Sequence, residues 1–311
     1  MLGRYFLRSS GGKETVSART ALPPLAAHGA TDAALAGKSA RAGSPARRTA
    51  NEDEPQPDTW SGRLPLRELR RVLAAPFTRC WLADQQANNQ APRPHDAPEA
   101  FAVGPGADRV LIFGSGPAVG WGVLSNDIAL PGSVARALRV KTGRGTTVEL
   151  VADMRIAVSN ALPLLLAIDM SRFDVIVIVL GGNDAVRLMP LRIWRKRFVA
   201  VLGGVQQKSL GPPRTFVTGI PPIDFVPGFQ TRLGKMIAAH AMEMNSATAR
   251  LCGTVNATYI PLPGIEPENE LGVRDGQTYR KWADAIADII APQLDDLKTQ
   301  PRSHQRRSHP S

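Results

Sequence analysis

The chain has 311 residues and a mass of 33.4 kDa, with 43% apolar and 21% charged residues and a mean hydropathy of −0.13. No apolar run approaches the roughly 18 to 20 residues of a membrane-spanning helix, which excludes a bundle of such helices. The two cysteines, Cys80 and Cys252, supply neither a disulfide framework nor a Cys-based zinc site, and they suit a reducing cytoplasm, the expected location. The net charge of +11 divides into +4 for residues 1–107, +3 for 108–297 and +4 for 298–311. Nucleic-acid binding asks for a basic stripe on a folded face, and most of this excess lies in the flanks, so no nucleic-acid partner is expected.

Residues 1–60 are dense in Ala, Pro, Arg, Ser and Thr and lack sustained periodicity, a composition that cannot repay the entropy of ordering. They read as a disordered tail. Arg4 and Arg8 interrupt the opening stretch, so no export signal is expected. In 61–85, Leu66, Leu69, Leu73, Phe77 and Trp81 recur every three or four residues with Arg67, Arg70, Arg71 and Arg79 between them, the pattern of a basic amphipathic helix. Pro76 should kink or end it near Ala75. The helix either docks on the main domain or touches a membrane surface or a partner. Residues 86–107 have a linker composition, and 298–311 read as a disordered basic tail.

From Asp108 onward, apolar runs at 109–113, 147–152, 174–180, 214–219 and 257–260 alternate with helical patterns near 130–141, 157–168, 189–207, 231–251 and 277–296. Runs such as 175–180, apolar at every position, suit central strands covered on both faces by crossover helices. The expectation is an α/β domain over 108–297, three-layer α/β/α with a five-stranded parallel sheet. In such sheets ligands sit beyond the carboxyl ends of the strands.

The first strand ends in Gly114-Ser115-Gly116-Pro117-Ala118-Val119-Gly120-Trp121-Gly122, whose glycines allow a tight turn and a close approach to a ligand. The spacing is not that of a dinucleotide cradle, and Pro117 removes one of the amides a phosphate would need. The third ends in Leu180-Gly181-Gly182-Asn183-Asp184. An Asn there is either ordinary turn chemistry or a neutral donor for a developing oxyanion.

Together these two segments resemble the SGNH (GDSL-type) hydrolases, a family of esterases, lipases and related acyl hydrolases, across roughly 108–297. Leu180 to Asp184 matches the family's third block, Ala118 to Val123 the end of its first, and Tyr279, Trp282 and Ala283 the stretch after its catalytic Asp-x-x-His. The resemblance implies a flavodoxin-like topology and an acyl-ester hydrolase. The chain departs from the pattern at the triad. Gly116 stands at the nucleophile position, Arg155 aligns with the oxyanion glycine of the second block, and Val273 and Glu270 stand where the family has His and Asp. Val carries no titratable group and cannot transfer a proton. Of the five histidines only His240 lies inside the domain, on a helix, where packing is the expected role.

Two readings follow. In one, Ser115 attacks an ester, Asn183 holds the oxyanion, Asp275 or Asp184 takes the proton, and Gly114, Gly116, Gly182, Asp184 and Arg155 contact the ligand. In the other, the cleft binds a small ester or acyl ligand, or a protein partner, without hydrolysis. Asp275 also reads as a helix-start residue. Asp224 stands in a Pro-Pro loop and could touch a substrate, and Arg187, Arg192, Arg195, Lys196 and Arg197 could attract an anion. With no His pair at helical spacing and no Cys-x-x-Cys, no metal and no cofactor are expected.

Overall fold

The computed structural model describes residues 92–207, 214–222, 230–265 and 274–299, together with Pro76 and Thr78, both helical. The expectations for 1–60, for the rest of 61–85, for Asp224, Glu270 and Val273, and for the chain beyond 299 lie outside the described residues.

Strands β1 (Glu99–Ala102), β2 (Ala107–Gly114), β3 (Gly145–Ala152), β4 (Val175–Val179), β5 (Arg214–Thr218) and β6 (Ala257–Ile260) form one sheet in the order β1-β3-β2-β4-β5-β6. Strands β2 to β6 are mutually parallel in the expected flavodoxin-like order. The sheet has six strands rather than five, because β1 adds antiparallel to β3 within the segment read as a linker. Its pattern gave little signal: only Ala100 and Ala102 turn inward, while Phe101 is 58% exposed.

The helices are α1 (Leu130–Thr142), α2 (Val158–Leu166), α3 (Gly182–Val186), α4 (Leu191–Gln207), α5 (Arg232–Cys252) and α6 (Gly276–Thr299). Helices α1 and α6 cover one face of the sheet, and α2, α4 and α5 the other. Alternation along the central strands feeds both cores. Val110, Ile112, Val175, Val177 and Val179 pack toward α1 and α6, and Leu111, Phe113, Ile176 and Ile178 toward the opposite layer. Burying each such side chain contributes about 1.5–3 kcal/mol, which is why these strands must be apolar at every position.

The chain leaves β2 for β3 on one side and then crosses to β4 on the other, so the sheet's switch point lies at the carboxyl ends of β2 and β4. At such a point the two outgoing loops diverge and leave a crevice.

Candidate functional site

Gly114 ends β2 opposite Val179 of β4 at a φ of 143°. A Cβ there would lie 1.9 Å from the Val179 carbonyl oxygen, so only glycine permits this approach. Ser115 follows in extended conformation, its amide donating to Val179 O at 2.8 Å, and starts the 3₁₀ turn Gly116–Val119. Its side chain is 2% exposed, and its hydroxyl has no hydrogen-bond partner among the described residues. Gly116 takes a left-handed φ of 61°.

The loop after β3 is tied to this turn and to the loop after β4. Asp153 N donates to Gly114 O at 3.1 Å. Asn183 Nδ2 donates to Met154 O at 2.6 Å and to Ile156 O at 2.9 Å. A carboxamide nitrogen has two hydrogens, so both are committed to the loop and neither points at an oxyanion. Asp184 is fully buried, and its Oδ2 accepts from Val158 N at 3.1 Å, capping the exposed amides of α2 from another element. Its Oδ1 has no hydrogen-bond partner among the described residues. Burial pushes this carboxyl up to about 6, against the hydrogen bond from Val158 and the positive charges of Arg187 and Arg197.

Gly114, Ser115, Gly116, Gly182, Asn183 and Asp184 therefore come together at the switch point. Arg155 borders the same edge but is exposed and paired with Asp153, Nη2 to Oδ2 at 3.0 Å. That hydrogen bond holds Asp153 below the usual carboxylate value against partial burial. Asp275 starts α6, where its Oδ1 accepts from Thr278 N at 2.9 Å and Thr278 Oγ1 at 3.1 Å, the geometry of a helix cap. No hydrogen bond joins Asp275 to Ser115 among the described residues. One turn further along α6, Tyr279 donates its hydroxyl to Trp121 O at 2.8 Å.

The supposed linker borders a cleft beside these residues, lined by none of Ser115, Asn183 and Asp184. Residues 92–98 form a strap in which Pro92 O accepts from Gly122 N at 2.8 Å and Asp96 accepts from Asn126 N and Ser125 Oγ. Arg93 lies over the Trp121 ring at 4.8 Å. Between strap and loop runs an open cleft of about 490 Å³, lined by Arg93, Asp96, Val119, Asp153, Met154 and Arg155 among others. Sequence reading missed Arg93 and Asp96, whose only signal was a Pro-punctuated, charged stretch before the first strand, and Asp153, two residues before the singled-out Arg155. Of the described histidines, His95 is exposed on the strap, and His240 is buried on α5 with Nε2 2.8 Å from Met189 O.

No protein-family model matches the chain, and no curated protein matches it. Solved structures do. A carbohydrate acetylesterase from Sinorhizobium meliloti is 17% identical at a TM-score of 0.46, over 60% of this chain and 99% of that one. A lipase from a goat rumen metagenome is 15% identical at 0.48, over 58% and 96%. A lipolytic protein assigned to the G-D-S-L family from Desulfitobacterium hafniense is 11% identical at 0.45, over 58% and 98%. The solved structures that this chain resembles thus include an esterase, a lipase and a lipolytic protein of the G-D-S-L family.

Proposed function

We propose that the chain is an SGNH hydrolase-like protein whose switch-point crevice binds a small ester or acyl ligand without hydrolysing it through a serine–histidine relay. The observation that carries this reading is the placing of the imidazoles among the described residues: His240 is buried on α5 with Nε2 against Met189 O, and His95 makes no hydrogen bond to Ser115. A serine hydroxyl with no base to receive its proton is a weak nucleophile, and loss of triad members removes several orders of magnitude of rate. The commitment of Asn183 to Met154 and Ile156 points the same way, since an oxyanion would have to displace one of those bonds. The two cysteines suit a cytoplasmic setting, and no helix among the described residues is long and apolar enough to cross a membrane.

A second reading has one observation in its favour. Asp184, held near 6, titrates close to neutrality, as a general base should, so a rearranged esterase would use Ser115 with Asp184 or Asp275 as base. Purified protein assayed with short-chain and medium-chain p-nitrophenyl esters and a fluorophosphonate probe, beside Ser115→Ala and His95→Ala, separates the two. Binding without hydrolysis predicts no turnover and no labelling in a folded protein. Turnover and labelling that both vanish in Ser115→Ala would sink that reading and establish the esterase.

A further inference from the structure

The outer faces of α4 and α5 differ in kind from the opposite layer. The two helices carry seven cations, Arg192, Arg195, Lys196 and Arg197 on α4 and Arg232, Lys235 and Arg250 on α5, against the single carboxylate Glu243. All seven are exposed. Arg195, Lys196, Arg232, Lys235 and Arg250 form no ion pair among the described residues. On the other side of the sheet some cations are answered. Lys141 meets Asp288 at 2.6 Å, and Arg144 meets Asp108 and Asp295. The two basic helices are joined in one layer by the Trp194 Nε1 to Thr248 Oγ1 hydrogen bond at 3.1 Å. Among the cations stand three exposed aliphatic side chains, Ile193 and Val199 on α4 and Met242 on α5, at 44%, 42% and 70% exposure.

We infer that this face docks on an anionic membrane surface. Unpaired cations on one face attract a sheet of negative charge, each contributing about 1 kcal/mol near an anionic leaflet. The aliphatic residues gain by entering the boundary between headgroups and acyl chains, and they gain nothing from a phosphate backbone. A single-stranded nucleic acid would call instead for exposed rings to stack on bases, and the aromatic residues of α4, Trp194 and Phe198, are buried. Because α4 and α5 both begin at the carboxyl ends of the strands, Arg192, Arg195, Arg232 and Lys235 stand at the edge that holds the crevice. Docking through them brings that edge to the lipid interface, which holds whether the crevice binds its ligand or hydrolyses it.

The test sediments the full chain with vesicles of phosphatidylcholine alone and of phosphatidylcholine with phosphatidylserine. Binding is expected only to the anionic vesicles. Reversing three cations, Arg195→Glu, Lys196→Glu and Lys235→Glu together, should lower that partition about a hundredfold, from at least ~1 kcal/mol per site. Arg280→Glu with Lys281→Glu on α6 should leave it unchanged. Ile193→Ser with Val199→Ser should weaken vesicle binding several-fold, with circular dichroism reporting that each variant is folded. Failure of the parent chain to bind anionic vesicles overturns the proposal. So does binding indifferent to the triple reversal, which would move it to the terminal segments. A face that binds a duplex oligonucleotide and not vesicles, with loss in the triple variant, would be a nucleic-acid surface and equally ends the proposal.

Discussion

Asp184 is where two demands meet at the scale of one side chain. Its Oδ2 is required at the start of α2, where Val158 N needs an acceptor, and a carboxylate beside the positive end of a helix is electrostatically favoured. Complete burial disfavours the same charge, and burial wins, raising the carboxyl from 3.8 to about 6. The native state therefore keeps a proton that the unfolded chain gives up. The resulting stabilisation is fully present below pH 3.8 and is lost as pH rises through about 6, in total about 3 kcal/mol. Asp184→Asn keeps an acceptor for Val158 N and does not ionise. The difference in unfolding free energy between parent and Asp184→Asn should thus shift by about 2 kcal/mol in favour of the variant between pH 4 and pH 7, read by urea unfolding at both. A difference that does not change with pH would show that Asp184 does not titrate in this range. The neighbouring Asn183 marks the limit of what was legible here. Its place after a double glycine at a strand end was readable, but its partners are the carbonyls of Met154 and Ile156, in a loop without periodicity, and nothing local says where a backbone carbonyl will point.

Elements were legible in proportion to how thoroughly their burial imposed a pattern. Strand β4 is buried at all five positions and reads as an unbroken apolar run. Strand β1, at the edge, turns two alanines inward and leaves no such trace. Its absence from the sequence reading also hid the strap before it, and with the strap one wall of the cleft. At the start of α6 the ambiguity was between a catalytic base and a cap, and the bonds from Thr278 N and Oγ1 favour the cap. Asp275→Ala should then cost about 1 kcal/mol of stability by urea unfolding, while Asp275→Asn, which retains a capping oxygen, should cost little. Neither should alter ligand binding at the crevice. A loss of hydrolysis in Asp275→Asn without loss of stability would return Asp275 to a catalytic role.

At the scale of the whole molecule, the site and the ion pair of the buried Asp108 occupy opposite edges of the sheet. Asp108, near the start of β2, is fully buried, and its carboxylate accepts from Arg144 Nε at 2.9 and 3.1 Å just before β3 begins. Arg144 Nη1 reaches Asp295 of α6 at 2.7 Å, so one guanidinium joins the sheet to the helix that packs on α1. A charge buried this deeply is costly when left alone, whereas the intact pair contributes little beyond apolar residues of similar volume. Arg144→Ala should therefore lose about 3 kcal/mol of unfolding free energy, because it takes the guanidinium from the buried Asp108 carboxylate, and Asp108→Leu with Arg144→Met should recover most of it. Unfolding of the parent, Asp108→Leu, Arg144→Met and the double variant gives the coupling directly, and additive single effects would mean that the two groups act independently. Since β2 carries Gly114 and Ser115 at its other end, folded Arg144→Ala also asks whether the crevice depends on this tie. The crevice is held by its own bonds, from Ser115 N to Val179 O, Asp153 N to Gly114 O and Asn183 to the loop after β3. Ligand binding per folded molecule should stay at the parent level while stability falls, and a parallel loss of both would show that the sheet transmits strain from one edge to the other.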